Sequence, residues 1–347
     1  MKALLTVSIV NPIEHPHWDD LLLPSEQATF FHTSAWARVL SESYGYKPLY
    51  FRIIEGGKLT GLVPVMEIDS FLTGKRSVSL PFTDFCPVLA DSEFAFQSLL
   101  DTVRKHGRKS GWKSIEFRGG DEYFGTAPAF ATHFAHTLEL DQDEAKVFAA
   151  FKSSTRRNIR RALAEGVEVK FLDSREAVAD FYRLNCVTRR DHGLPPQPLC
   201  FFEKIFEHII AAHKGFVVLA FNQGRQIAGA VYLHFREEGI YKFGASDKRF
   251  QHLRANNLVM WEAIRWCCQN GIRTFSFGRT EPENEGLVQF KRGWGTKEDK
   301  VAYYKLDLNE NAFLAKSNGA RSSYPVCRVL PIPVLRLAGR LMYRHVG

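Results

Sequence analysis

Two stretches decide the fold: Gly271–Thr280, with the sequence GIRTFSFGRT, and Gln289–Gly295, with the sequence QFKRGWG. The first predicts a buried strand that ends in a polar turn. In the second, Lys291 and Arg292 stand between a phenylalanine and two glycines, and glycine lets backbone approach a ligand closely or turn sharply. Two cations there suit an anionic ligand or a developing oxyanion. A basic, solvated turn held by a buried Trp294 explains the same residues, and both interpretations stay open.

Size and composition predict a two-domain globular protein. The chain has 347 residues, of which 45% are hydrophobic and 24% are charged, and domains commonly hold about 150 residues. The six cysteines show no CxxC spacing, so we expect reduced thiols and no metal site. No window predicts a secretory signal or a membrane span, and we expect a cytoplasmic protein.

The net charge of +8 is concentrated at the C-terminus. Residues 312–347 contain six cations and no acid, leaving +2 for the remainder of the chain. This distribution argues against a general nucleic-acid coat, and no DNA partner is expected. The six cations are Lys316, Arg321, Arg328, Arg336, Arg340 and Arg344.

The last three of these arginines recur every four residues, so they would line one side of a helix flanked by Leu337 and Leu341. A basic amphipathic helix is typical of a membrane-surface anchor, which predicts peripheral contact with the inner face of the membrane through residues 329–345. Docking on the protein's own core is the alternative.

A second basic patch lies near the middle of the chain. Residues 144–165 fit one amphipathic helix, which Gly166 would end. Its polar arc carries four arginines, and these suggest either a solvated face or a phosphate-binding face. They are Arg156, Arg157, Arg160 and Arg161.

The chain repeats one pattern of strands and helices. Tyr50–Val63 and Val217–Val231 both predict a strand, a glycine turn, a basic residue and a second strand. Gly111–Phe117 and Gly271–Phe277 both predict a helix end, a glycine and a strand. We therefore predict one α/β unit used twice, with domains at 1–142 and 143–310 and a basic tail at 311–347.

This duplicated layout resembles tandem GNAT-like (acyl-CoA N-acyltransferase-like) domains, as in the Fem family of peptidoglycan aminoacyltransferases. The resemblance spans roughly residues 25–307 and implies two mixed, twisted sheets flanked by helices. The sequences of its motifs are most similar to those of the FemAB-like proteins that accompany exosortase and PEP-CTERM systems. The motifs that carry it are residues 152–161, Gly224–Gly229, Tyr241–Asp247, Asn256–Glu262, Phe277–Thr280 and Phe290–Gly295.

The resemblance implies an enzyme that forms an amide on an amine of a cell-envelope precursor. Lys291 matches a lysine near the reacting carbonyl, and Phe290 precedes it with a backbone that helps define the site. Asp84 loosely resembles an acidic position that would orient or deprotonate the amine, although a turn aspartate is the alternative. The expected acceptor is an anionic sugar precursor linked to a nucleotide or a lipid, in peptidoglycan or exopolysaccharide.

Further residues are candidates for binding substrate. Several follow the predicted central strand of the second half, where open α/β sheets place ligands; they could equally form a turn or cap a helix. The candidates are Arg156, Arg157, Arg160, Tyr241, Ser246, Asp247, Asn256, Arg279 and Arg292.

No cofactor is firmly implied, and the acyl donor is either aminoacyl-tRNA or acyl-CoA. The loop 245–254 lacks the glycines with which GNAT proteins hold pyrophosphate, which disfavours coenzyme A. The long coiled-coil arm of several Fem enzymes is also absent, which leaves the use of tRNA open. Three hypotheses remain: an aminoacyltransferase, a coenzyme-A-dependent N-acyltransferase acting on an amino sugar, and a non-catalytic protein that binds an anionic glycolipid.

Overall fold

The computed structural model describes residues 5–315 and 324–347, and it divides the chain into two compact units. The first unit ends at His133 and also includes a segment that begins at Lys300 and the C-terminal Met342–Gly347. The second unit comprises Phe134–Asp299 and a segment that ends at Leu341. Lys316 and Arg321 of the predicted basic tail lie outside the described residues.

The strands, in chain order, are β1 (Val7–Val10), β2 (Lys47–Glu55), β3 (Lys58–Ile68), β4 (Arg76–Val78), β5 (Leu89–Ala90), β6 (Ser114–Arg118), β7 (Ala131–Glu139), β8 (Glu168–Leu172), β9 (Gly215–Asn222), β10 (Arg225–Phe235), β11 (Glu238–Ser246), β12 (Thr274–Thr280), β13 (Lys297–Asp307) and β14 (Ala312–Phe313).

The α-helices are α1 (Trp18–Leu22), α2 (Ser34–Tyr44), α3 (Glu93–Lys109), α4 (Asp121–Phe124), α5 (Glu144–Ala150), α6 (Ser153–Ala164), α7 (Arg175–Asp191), α8 (Leu199–Ile205), α9 (Ala255–Gln269), α10 (Glu285–Arg292) and α11 (Ile332–Met342). Short 3₁₀ segments cover Phe30–His32, Lys248–Leu253, Pro325–Arg328 and Tyr343–His345, and a π-helical turn covers Phe206–Ile210.

The two sheets have the same plan, which confirms the predicted repetition. The first unit orders its strands β1-β2-β3-β4-β6-β13, and the second orders them β8-β9-β10-β11-β12-β7. Each sheet contains one parallel pair, β4 with β6 and β11 with β12, among otherwise antiparallel neighbours. The hairpins β2-β3 and β9-β10 occupy equivalent places, as the sequence repeat predicts.

The turns of these two hairpins show why the repeat forms locally. Each has two residues, Gly56-Gly57 in the first and Gln223-Gly224 in the second, and all four have positive φ. Two consecutive positive φ angles define the type I′ turn, whose twist matches that of antiparallel strands. Glycine adopts a positive φ without strain, whereas a positive φ is uncommon for a glutamine such as Gln223.

The boundaries of the two units differ from the predicted segments, because β7 and β13 pair with strands that are distant in sequence. The second unit begins at Phe134 instead of residue 143, because β7 belongs to its sheet from that residue onward. In addition, β13 follows the second unit in sequence but pairs with β6 of the first, from Tyr303↔Arg118 to Asp307↔Ser114. The last strand of the first sheet therefore comes from the far end of the chain.

The predicted single helix over residues 144–165 is wrong. The helix is interrupted at Phe151 and Lys152, which have extended backbone, so that α5 and α6 are separate. Phe151 is buried between the rings of Trp261 and Trp294, and the Lys152 N–H donates to the Gly293 carbonyl at 3.0 Å. A continuous helix would give up both the aromatic packing and this hydrogen bond.

The core of the second unit lies between its sheet and the helices α6 and α9. It contains Trp261 together with Trp294, which is fully buried. Trp36 is fully buried in the first unit. Within residues 5–315 and 324–347, the structure contains no helix with the length and apolar character required to cross a bilayer.

His32 makes the stability of the first unit depend on pH. It is completely buried, its Nδ1 accepts from the Thr29 N–H at 3.0 Å, and its Nε2 lies 3.0 Å from the Pro87 carbonyl. Burial lowers the pKa of His32 to about 4, although the two backbone hydrogen bonds oppose the shift. In the unfolded chain the His32 ring therefore becomes protonated near pH 6.5, whereas in the folded protein it stays neutral down to about pH 4.

We predict that the first unit loses stability as pH falls from about 6.5 to about 4, by up to about 3 kcal/mol from this residue. NMR titration of the His32 ring checks the cause, since its midpoint should lie near pH 4. The His32→Gln variant, which has no titrating ring, should show a shallower decline in urea unfolding between pH 7.5 and 4.5. A His32 midpoint near 6.5 would contradict the prediction.

Candidate active site

Two strands separate at the edge of the second sheet where ligands are expected. The parallel pairing of β11 with β12 runs only from Glu238↔Thr274 to Ile240↔Ser276, although β11 continues to Ser246 and β12 to Thr280. Their carboxyl ends therefore diverge into a wedge, the position at which open α/β sheets commonly bind ligands.

Lys291 is held at the β12 side of this wedge. The β12–β7 register shifts between Ser276 and Arg279, and Gly278 has a φ of 67°. This bulge turns two carbonyl groups toward α10. The Lys291 Nζ donates to the Gly278 carbonyl at 2.9 Å and to the Arg279 carbonyl at 3.1 Å, and the residue is only 2% exposed.

This geometry corrects one of the two interpretations of the decisive stretch. Trp294 is buried as expected, but Lys291 lies on a helix and is itself buried, so this part of the segment is not a solvated basic turn. The N-terminus of α10 is capped by Asn284, whose side chain accepts from the Leu287 N–H at 3.3 Å.

A histidine and a glutamate near Lys291 were not predicted. His136 on β7 is fully buried and its Nε2 lies 2.9 Å from Glu298 Oε2. Burial, followed by the charge of Lys291, lowers the pKa of His136 against the opposing effect of Glu298. A neutral His136 that donates from Nε2 leaves Nδ1 as an acceptor, and this buried atom has no hydrogen-bond partner among the described residues.

Glu298 also binds Arg292, a predicted substrate-binding residue. The guanidinium donates to both carboxylate oxygens, at 2.7 Å from Nε and 2.5 Å from Nη2. This bidentate pair lowers the pKa of Glu298 and partly neutralises Arg292, so the arginine is less available to an anion than its sequence context implies.

A polar cavity of about 270 Å³ lies between the first turns of α6 and α9 and one face of α10. Lys152, Ser154 and Thr155 come from the start of α6, Asn257 from the first turn of α9, and Gly286 from the first turn of α10. The first backbone N–H groups of a helix lack intrahelical acceptors and carry partial positive charge. The cavity therefore favours an anion or a carbonyl oxygen.

Asn257 and Phe290 complete this cavity, together with Asn158, Gln289 and Gly293. Asn257 is 8% exposed and presents a side-chain amide at the cavity. Phe290 lines the same cavity, whereas Lys291 is buried beside it.

The predicted arginines of α6 are arranged along the helix above this cavity. Arg156 is half-buried, Arg157 and Arg160 are exposed, and Arg160 lies over the Phe148 ring at 5.7 Å. Neither Arg156 nor Arg157 has an acidic partner among the described residues. Because Lys152 lines the cavity, the residues at every fourth position form a line of cations that starts there.

The predicted site residues on β11 and directly after it divide between packing and turn roles. Tyr241 packs on the core, and its hydroxyl occupies the space beside Gly244, where an added Cβ would lie 1.6 Å away. Burial raises the pKa of Tyr241 to about 12, so it stays protonated at neutral pH. Ser246 accepts from Asn256 Nδ2 at 3.1 Å.

Asp247 caps the 3₁₀ segment that follows β11. It accepts from the Arg249 backbone N–H at 3.1 Å and from its guanidinium at 2.9 Å, and Arg225 lies 3.8 Å away. Hydrogen bonds from Arg249 lower the pKa of Asp247. The N-cap of α9 is Arg254, which has a φ of 59°, so the alternative in which Asn256 or Asn257 caps this helix is wrong.

Two further candidates are in different surroundings. Arg279 offers its backbone carbonyl to Lys291, and its side chain is half-buried. Asp84 belongs to the first unit, whereas the other candidate residues belong to the second. The Asp84 carbonyl accepts from the Tyr303 hydroxyl at 2.6 Å, and Arg118 lies over the Tyr303 ring at 5.5 Å.

Comparison with known proteins agrees with this architecture. The sequence profile of the acetyltransferase (GNAT) domain matches residues 149–292. A lipid II:glycine glycyltransferase from Staphylococcus haemolyticus is 28% identical over 94 residues, which cover 25% of this chain and 22% of that protein. One from Staphylococcus epidermidis is 27% identical over 95 residues, covering 25% and 23%. The match thus spans less than a quarter of the length of these curated relatives.

Solved structures share the fold. A crystal structure of FemX has a TM-score of 0.70 at 14% identity and covers 86% of this chain and 97% of that chain. A tandem GNAT protein from the clavulanic acid biosynthesis pathway has a TM-score of 0.57 at 9% identity, covering 88% and 99%.

The chain is similar in fold to FemX, and residues 149–292 match the acetyltransferase (GNAT) domain. The narrower resemblance to proteins of exosortase and PEP-CTERM systems stays a prediction. The matched GNAT domain contains Lys291, Arg292 and the arginines of α6, while Asp84, His136 and Glu298 lie outside it.

We predict that Lys291→Met destabilises the second unit by about 1–3 kcal/mol, because two backbone carbonyls lose their donor in a buried place. Thermal and urea unfolding measure the change. The matched control is Lys297→Met, since the Lys297 side chain is 73% exposed and its replacement should stay within about 0.5 kcal/mol of the parent. Equal stability of Lys291→Met and the parent would show that the ammonium does not satisfy these carbonyls.

Proposed function

We propose that this protein is a FemAB-like acyltransferase that joins an aminoacyl group to an amine of a peptidoglycan precursor. The observation that carries the proposal is the pairing of Phe290, which lines a cavity at the N-termini of α6 and α9, with the buried cation Lys291 next to it. The relatives named lipid II:glycine glycyltransferase support a lipid-linked peptidoglycan precursor as acceptor.

The reaction needs no covalent enzyme intermediate. The acceptor amine attacks the acyl carbonyl, a C–N bond forms, and the bond to the donor's oxygen or sulfur breaks. The amine proton leaves with the departing donor group. Negative charge develops on the carbonyl oxygen, and a preorganised cation such as Lys291 would stabilise it by a few kcal/mol, about the magnitude of one oxyanion-hole donor. Holding the two reactants in place supplies much of the remainder.

Lys291 would act from a fixed position. Its two hydrogen bonds to the β12 carbonyls set the place of the ammonium before substrate arrives, so little reorganisation is required. His136 and Glu298 support the same region, because a neutral imidazole adds no repulsion to the nearby Lys291 charge. Asp84 stays a proposed amine-orienting residue on the strength of the resemblance alone.

The donor that we favour is aminoacyl-tRNA. One line of cations runs along α6 at intervals of four residues, from Lys152 through Arg156 to Arg160. Such a line attracts the phosphates of a nucleic-acid strand. The cavity at the start of this line would take the acylated end. The 3₁₀ segment Lys248–Leu253 is closed by the Asp247–Arg249 pair, which makes it a poor pyrophosphate loop.

Product mass after incubation with each donor tests the function. We expect the acceptor to gain one aminoacyl residue with aminoacyl-tRNA, and Lys291→Met to slow transfer by about 100- to 1000-fold, assayed below its unfolding temperature. A product with acetyl-CoA, or a large thermal stabilisation by it, would support the N-acyltransferase on an amino sugar instead. No product with any donor, alongside binding of the glycolipid, would favour the non-catalytic protein.

A variant of the arginine line tests the donor separately. Arg156→Gln with Arg160→Gln should raise the KM for aminoacyl-tRNA by about tenfold and flatten its salt dependence. The control is Arg183→Gln, an exposed arginine of α7 paired with Asp180. An unchanged KM and salt slope would remove the arginines of α6 from donor binding.

We also propose that the protein acts at the inner face of the membrane, as residues 329–345 predict, because a lipid-linked acceptor is anchored there.

A further inference from the structure

Helix α11 has one face fixed on the second unit. Leu335 is 1% exposed and Gly339 is buried, and a Cβ added to Gly339 would lie 1.9 Å from the Pro196 carbonyl oxygen. Arg336 lies over the Tyr182 ring at 5.4 Å. These contacts leave the helix backbone directly against its neighbour and set which side chains face outward.

The outward face carries apolar side chains that nothing in the described residues covers. Leu337 is 59% exposed, Leu341 60% and Val334 46%. These positions fall within an arc of about 60° on the helix, and we call the three residues the apolar strip. Val326 and Val329, just before the helix, are also exposed.

The segment that carries the apolar strip contains cations and no acidic residues. Arg336 and Arg340 lie on the next part of the helical circumference, and Arg344 follows in the 3₁₀ segment Tyr343–His345. No Asp or Glu occurs from residue 312 to the C-terminus. A second copy docking through this face would bring like charges together, whereas an anionic surface would pair with them.

We infer that the apolar strip inserts into an anionic phospholipid bilayer from one side, with Arg340 at the lipid phosphates. An amphipathic helix with an apolar strip beside arginines lies in the interface in this manner, and polybasic segments gain affinity from anionic lipid. The inference rests on the proposed lipid-linked acceptor for its purpose, but not for its geometry. From the sequence, membrane contact is expected through the arginine side of this helix. The structure instead exposes Leu337 and Leu341 as the residues that would insert, with the arginines beside them.

Vesicle flotation with the full chain tests this docking. The protein should bind vesicles of equal parts phosphatidylglycerol and phosphatidylcholine, bind pure phosphatidylcholine weakly, and release in high salt. Leu337→Ser with Leu341→Ser should reduce partitioning by at least about tenfold, and Arg340→Gln by about fivefold. The matched control is Leu163→Ser, because Leu163 on α6 is 56% exposed and lies away from the strip.

The outcomes separate docking from function. Binding of the double variant equal to that of the parent, or no binding by the parent, would overturn the inference. A parent dimer in light scattering that the double serine variant dissociates, without vesicle binding, would assign the strip to a second copy. Transfer to a water-soluble, nucleotide-linked acceptor should be unchanged in the double variant, so a failure of catalysis and a failure of docking appear in different assays.

Discussion

The carbonyl oxygen of Gly293 is the acceptor on which the candidate site depends. It receives the Lys152 N–H at 3.0 Å and the Thr155 hydroxyl at 2.9 Å. The first hydrogen bond stabilises the extended backbone that separates α5 from α6. The second connects the first turn of α6 to the end of α10. A Cβ at residue 293 would lie 2.6 Å from Thr155 Oγ1, so only glycine permits this approach. The cavity exists because α6 begins where this carbonyl requires it.

The charges of the site are divided between those already satisfied and those left for a ligand. Arg292 is paired with Glu298, and Asp247 with Arg249. These groups build the site and hold its geometry. Arg156 and Arg157 of α6 have no acidic partner among the described residues, so attraction of the proposed phosphate-bearing donor would fall mainly to them. The division follows from geometry, because a charge that is already paired with a fixed side chain attracts a diffusing ligand only weakly.

Local pattern was sufficient to predict the repeated framework. The hairpins, β6 and β12 were predicted because strand length, turn residues and apolar content are written in neighbouring residues. The cavity and the wedge were only partly predictable: Phe290 was identified, but Asn257 entered the argument only as a possible helix cap. His136 and Glu298 are 162 residues apart in sequence, and neither stands in a motif, so no local signal joins them. Lys291 was identified by resemblance, but its burial depends on a bulge at Gly278 that periodicity does not reveal.

The strand β13 has a consequence for how this protein is made. During synthesis the ribosome releases the whole of Phe134–Asp299 before the strand that pairs with β6 from Tyr303 to Asp307. Until then β6 presents an unpaired edge, the kind of surface that recruits other chains. The first sheet of the nascent polypeptide therefore stays incomplete until β13 has been synthesised. A fragment that ends at residue 142 would keep the edge of β6 unpaired.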